Sequence, residues 1–312
     1  MEKENHTSVK EFILLGLPHA DELKIPLFLV FLFIYICTIL GNLLILVTVR
    51  GDPRLHTPMY FFLFNLSFLD ICLSTVTVPK MLANFLEVRK VISFSGCICQ
   101  LYFFHFMAST ECFLYTVMAY DRYAAICHPL HYNKIMSKKI CIQMAAGTWL
   151  TGSIHSMMHT ILTFRLPFCR SNLIPYFFCD IPPILKLACS STFINEAVIL
   201  ANIGIVGLGC FLLILVSYGH IVLAILKIST AEGRRRTFST CASHITVVIL
   251  FFAPPLFIYL RPHSLYSVDG ALAVFYTVVT PMLNPIIYSL RNKEVKLALR
   301  KLRGRHMFSL CT

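Results

Sequence analysis

Seven stretches of this 312-residue chain are long, apolar and almost free of charge, and no other feature constrains its fold as strongly. A helix needs about 20 mostly apolar residues to cross the hydrocarbon of a bilayer. Residues 25–49, 140–164, 197–226, 237–260 and 270–290 hold no Asp, Glu, Lys or Arg, and residues 55–79 and 91–120 hold one acid each, Asp70 and Glu111. Membrane barrel strands alternate over about 10 residues, and runs this even do not. The pattern predicts an all-α membrane protein, a seven-transmembrane helix bundle over residues 25–290. Residues 1–24 form the outer N-terminus and 291–312 a cytoplasmic tail. Charged residues make up only 13% of the chain, about half the share usual in soluble domains, which excludes disorder and a water-facing surface.

The formal charge of +12 admits a nucleic-acid reading until its placement is examined. With the N-terminus outside, the cytoplasmic segments are residues 50–55, 121–139, 227–236 and those after 290. They carry 17 Lys and Arg against four acids, and the outer segments carry 10 against nine. Basic excess on one face is the positive-inside signature, so the charge is topological and no nucleic-acid partner is expected. Residues 1–24 lack a short apolar core with a cleavage site, and the first helix is expected to serve as an uncleaved targeting signal. Asn5-His6-Thr7 fits the glycosylation pattern and favours an outside N-terminus; Asn65-Leu66-Ser67 fits it too, but lies in a span.

Cys97, Cys169, Cys179 and Cys189 fall on the oxidising side, where disulfides persist. Four cysteines allow three pairings, and spacing does not choose among them. Most of the others read as small buried hydrophobes.

An isolated carboxylate is costly in hydrocarbon and marks a polar cavity or relay. Glu111 precedes Arg122 by 11 residues, about 16 Å of helix, which puts it near mid-membrane. Asp70 is similarly deep, and Asn284 in the seventh span reaches the same level. Two readings stand side by side: an oxygen-ligand site for Na⁺, or protonated, hydrogen-bonded structural groups. No other metal or cofactor is expected. Asp121-Arg122-Tyr123 ends the third span with an arginine that either pairs locally or swings to a partner. Pro285 frees a carbonyl that Asn284 can satisfy, and Pro254-Pro255 is expected to kink the sixth helix above Arg234, Arg235 and Arg236.

Six blocks within these spans carry a resemblance. They are Gly41-Asn42; Leu55-His56-Thr57-Pro58-Met59-Tyr60-Phe61-Phe62-Leu63; Met118-Ala119-Tyr120-Asp121-Arg122-Tyr123-Ala124-Ala125-Ile126-Cys127; Ser217-Tyr218; Phe238-Ser239-Thr240-Cys241-Ala242-Ser243-His244; and Pro281-Met282-Leu283-Asn284-Pro285-Ile286-Ile287-Tyr288-Ser289-Leu290-Arg291-Asn292. In this order on seven spans, from Glu11-Phe12-Ile13-Leu14-Leu15-Gly16 to Lys293, the chain closely resembles the olfactory receptors, a branch of the rhodopsin-like G-protein-coupled receptors. The resemblance implies a plasma-membrane receptor with a short C-terminal amphipathic helix, and disulfides Cys97–Cys179 and Cys169–Cys189. It implies activation switches at Asp121, Arg122, Tyr123, Tyr218, Asn284, Pro285 and Tyr288. It also implies an odorant ligand and a stimulatory olfactory-type G protein that raises cyclic AMP. The chain departs from the branch at Phe251-Phe252-Ala253, where Phe-Tyr-Gly is common.

Phe104 stands 18 residues above Arg122, about 27 Å up the helix, and His105, Ala108, Ser109 and Cys112 recur at three- and four-residue steps. By resemblance this face meets Asn202, Val206 and Gly207 of the fifth helix, Phe252, Pro255 and Tyr259 of the sixth, and Thr277 and Thr280 of the seventh. The expected site is mostly apolar with a few hydrogen-bonding groups. No acid lies in the outer half of these helices, so the expected ligand is a neutral or weakly polar volatile. His155 and His159 are spaced i, i+4 as metal ligands would be, but no third ligand accompanies them and packing is the favoured reading. A receptor for a non-odorant small metabolite and an ion-coupled transporter are the alternatives. No internal repeat supports the transporter, and no catalytic motif supports an enzyme.

Overall fold

The computed structural model describes residues 9–17, 21–169, 171–227, 229–260, 266–291 and 294–298. Asn5, the side chain of Tyr259 and most of the expected tail helix lie outside them. Seven long helical segments form the bundle. The first four long helices are Lys24–Gly51, Pro58–Leu86, Phe94–Cys127 and Lys138–Phe164. The fifth runs through Phe193–Asn202, a π turn at Ile203–Leu208, and Gly209–Leu226. The sixth is Ala231–Leu260. The seventh comprises Tyr266–Val274, a π turn at Phe275–Val279, and Thr280–Arg291.

Among the described residues, five of the seven are long and apolar enough by length and composition to cross a membrane. The third and fourth are more polar, and much of that polarity points inward: Ser109, Thr110 and Glu111 in one, Thr148, Ser156 and Thr160 in the other are buried. Apolar side chains such as Phe33, Leu40, Ile205 and Leu213 are exposed on the outside. A largely apolar core that also shelters polar groups, inside an exterior that is itself apolar, suits lipid as solvent.

Local signals set several helix ends. Ser93 and Ser137 cap the third and fourth helices by accepting from the Gly96 and Ile140 amides, and Pro58 opens the second at a position where its missing donor costs nothing. Pro79, expected to close the second span, instead lies inside its helix. Two close approaches need glycine. A Cβ at Gly41 would meet the Pro285 ring at 3.0 Å, and one at Gly152 would collide with Thr110 and sit 3.2 Å from the Phe106 carbonyl.

A small sheet closes one end, which the apolar runs did not foretell. Strand β1 (Glu11–Leu14) pairs antiparallel with β2 (Val91–Ser93) and parallel with β3 (Leu173–Ile174). Residues 91–93, expected as the start of the third helix, are therefore extended. Phe12 of β1 is fully buried, stacked on Phe94 and edge-on to Phe168. Disulfides Cys97–Cys179 and Cys169–Cys189 bind the loop after the fourth helix at this same end.

Candidate functional site

Beneath the loop lies a cavity of about 160 Å³. Its third-helix wall is Phe104, His105, Ala108, Ser109 and Cys112, the set expected from the three- and four-residue steps. Asn202, Val206 and Gly207 line it from the fifth helix, and Phe252 and Pro255 from the sixth.

The seventh helix behaves differently. Thr277 and Thr280 do not line the cavity; both are buried, with their hydroxyls donating to the Ala273 and Phe275 carbonyls. The π turn at Phe275–Val279 inserts an extra residue into the helical count and rotates the following face, and Tyr276 lines the cavity instead. The π turn of the fifth helix likewise borders the cavity through Ile203, Val206 and Gly207.

The fourth helix contributes His155 and His159, which the sequence suggested only as packing residues. His155 Nδ1 shares a 2.8 Å hydrogen bond with Ser109 Oγ, and His159 Nε2 accepts from Asn202 Nδ2 at 2.9 Å. The two rings meet edge to face at 4.7 Å. Among the described residues no group of three His, Cys, Asp or Glu is placed to hold a metal ion.

The roof is the loop itself. Phe178 packs 4.7 Å from Phe104, and Ile181 borders the cavity. Gln100 accepts from the Cys179 amide at 2.9 Å, and Tyr176 donates to the Asp269 carbonyl, also at 2.9 Å. Burial pushes the Tyr176 phenol above its ordinary pKa, so it stays a donor. The outer halves of these helices are not free of acids, as the sequence led one to expect: Glu196 lies in the first turn of the fifth and buried Asp269 in that of the seventh. In the loop, buried Asp180 accepts from the Ile181 amide at 2.8 Å and lies 3.1 Å from His105 Nε2. His105 lines the cavity, and Asp180 is not among its lining residues.

Below the cavity the intramembrane acids meet. Asn284 Nδ2 donates to Asp70 Oδ1 and Oδ2 at 2.9 and 3.0 Å and to Tyr115 Oη at 3.1 Å; Tyr115 in turn donates to Glu111 Oε1 at 2.8 Å. All four residues are buried, and Glu111 Oε2 and Asn284 Oδ1 have no hydrogen-bond partner. Tyr115, the centre of this network, carries no signal in the sequence, because a tyrosine in a span usually reads as packing. Separately from this network, Asn42 of the first helix donates to the Pro281 carbonyl of the seventh at 3.0 Å.

At the inner end, Asp121 does not pair with its neighbour Arg122. It accepts from Tyr132 Oη at 2.7 Å, and the described ion pairs do not include the two. Burial and the adjacent Asp121 charge push the Tyr132 phenol up, keeping it a donor. Arg122 Nε is buried without a partner. Tyr123 shares a 3.0 Å hydrogen bond with His128 Nε2, and Tyr218 a 2.7 Å bond with His244 Nδ1. The Tyr288 hydroxyl is buried and unpartnered. Pro285 lies within the seventh helix, and Pro254 and Pro255 within a sixth helix that runs unbroken past them.

Residues 31–304 match the olfactory receptor family. Olfactory receptor 10G7 of Homo sapiens is 58% identical over 306 residues, covering 98% of each chain. Olfactory receptor 10G9 of Homo sapiens is 60% identical over 298 residues, 95% of this chain and 96% of the relative. Olfactory receptor 4E2 of Mus musculus is 53% identical over 305 residues, 98% of this chain and 99% of the relative.

Proposed function

The chain belongs to the olfactory receptor family, rhodopsin-like receptors with seven transmembrane helices that couple to G proteins, and from that premise we propose that it detects a small, mostly apolar volatile. The cavity carries this reading. An apolar void of about 150 Å³ accepts benzene in another protein, so a space of about 160 Å³ suits a molecule of roughly one ring. Its hydrogen-bonding side chains are largely engaged with one another, Ser109 with His155 and Asn202 with His159. A polar ligand group therefore has to compete for bonds already made, whereas apolar surface gains at once from leaving water. The Asp180 carboxylate is committed to Ile181 and His105, which disfavours an amine.

Occupancy need only favour the active arrangement more than the resting one. The ligand touches the third, fifth, sixth and seventh helices, and three of these carry Arg122, Tyr218 and Tyr288 toward the inner end. A repacked inner surface, with its basic excess, engages a stimulatory olfactory-type G protein and raises cyclic AMP. In this reading the receptor sits in the plasma membrane with its N-terminus outside and Asn5 glycosylated. Asp70, Glu111 and Asn284 hold a sodium ion, for which the two unpartnered oxygens are suitable hard ligands.

The test is a broad panel of neutral volatiles against the surface-expressed receptor with cyclic AMP as readout. At least one should raise cyclic AMP, with potency reduced in both Phe104→Ala and Phe252→Ala. A silent panel, or full potency in both variants, would overturn the assignment.

A further inference from the structure

Two of the described residues that line the cavity carry a hydroxyl, Ser109 and Tyr276. The Ser109 hydroxyl shares a bond with His155, whereas the Tyr276 hydroxyl is buried with no hydrogen-bond partner among the described residues. Tyr276 is only 4% exposed, and its ring centre stands 6.2 Å from that of Phe104, with the planes tilted by 49°. The π turn at Phe275–Val279 is what brings this tyrosine to the cavity in place of Thr277 and Thr280. A buried hydroxyl in this position has given up its bonds to water and gained none in return. The cavity beside it is the space into which a partner can come.

Building on the odorant reading, we propose that Tyr276 selects among volatiles, its hydroxyl donating to the carbonyl oxygen of a one-ring aldehyde or ketone. A phenol O–H needs an acceptor, and a carbonyl oxygen supplies one while asking for nothing back. An alcohol brings a proton of its own, and the lining side chains that might receive it are engaged: Ser109 with His155, Asn202 with His159, His105 with Asp180. A carboxylate surrenders its whole hydration shell for one bond. A hydrocarbon of the same shape fills the space but leaves the hydroxyl as it was. Sites that hydrogen-bond a ligand group discriminate against the analogue lacking it for this reason. The bond also ties the ligand to the helix that continues through Asn284, Pro285 and Tyr288 toward the inner end.

The test compares agonists in pairs in which C=O is replaced by C=CH2, benzaldehyde with styrene and acetophenone with α-methylstyrene. Each is applied to the surface-expressed full-length receptor with cyclic AMP as readout. The carbonyl member of each pair should be the more potent by about tenfold, the scale of one net hydrogen bond. Tyr276→Phe keeps the ring and should erase that advantage by weakening the carbonyl member while the hydrocarbon holds its potency. The variant should reach the surface as wild type does, because the hydroxyl it lacks bonds nothing in the free receptor. Equal potency of both members on the wild type, an equal loss of both in Tyr276→Phe, or failure of the variant to reach the surface would overturn the proposal. Silence to both pairs while other neutral volatiles activate would overturn it too and leave the odorant reading intact. Silence to every volatile would overturn that reading and this inference with it.

Discussion

Asn284 of the seventh helix donates to both carboxylate oxygens of Asp70 on the second, at 2.9 and 3.0 Å. The same amide reaches Tyr115, so one side chain ties three helices at mid-membrane. If sodium completes the site, the folded state gains RT ln(1 + [Na⁺]/Kd), about 1.4 kcal/mol at ten times the dissociation constant. Purified receptor should melt at a higher temperature in sodium chloride than in choline chloride at equal ionic strength, and Asp70→Asn should abolish the difference. Equal melting of the wild type in both salts would leave the network purely structural.

Gly152 and Gly147 provide a matched pair on the fourth helix. A Cβ at Gly152 meets Thr110 and the Phe106 carbonyl of the third helix, while one at Gly147 meets nothing within 4 Å. Overpacking a tight contact costs about 1–3 kcal/mol. Gly152→Val is expected to lower the melting temperature and surface expression, and Gly147→Val to leave both near wild type. Comparable losses in the two variants would show that helix propensity, and not contact, dominates.

Ala108 lies on the cavity wall. Ala108→Leu fills part of the void without removing a hydrogen bond. A methylene in such a pocket is worth about 1–3 kcal/mol, so the potency of the largest agonists should fall at least tenfold and that of the smallest should change least. Dose–response curves across an agonist size series check this, and a uniform loss would point to misfolding.

What could be read in advance followed from long-range regularity, and what could not depended on contacts. The seven spans were visible because charge is missing for 20 or more residues at a time. The third-helix wall from Phe104 to Cys112 was visible because it lies on an uninterrupted helix with one period. Strand β2 was hidden because Val91–Ser93 continues an apolar run, and its partner β1 lies some 80 residues earlier. Tyr276 displaced Thr277 and Thr280 because a π turn changes phase without a distinctive composition. Asp180 was not legible because a loop contact with His105, and no helical period, brings it near the cavity. Asp121 beside Arg122 left local pairing and a distant partner both open; adjacent helical residues do not face each other, and Tyr132 from the next loop takes the carboxylate.

That last contact can be tested alone. Tyr132 belongs to the short helix Tyr132–Ile135 and donates to Asp121 Oδ1 at 2.7 Å. Hydrogen bonds to a charged group are worth about 1.5–3 kcal/mol. Tyr132→Phe removes the donor while keeping the ring that packs against the core. Backbone amides over residues 130–136 should then exchange about tenfold faster or more, since 1.4 kcal/mol corresponds to a factor of ten, while exchange in the outer sheet stays unchanged. Freed of Tyr132, the Asp121 carboxylate is available to other partners at this end of the bundle, so basal cyclic AMP should shift in the same variant. Unchanged exchange and unchanged basal signal together would show that the Tyr132 contact neither holds the inner loop nor restrains the switch.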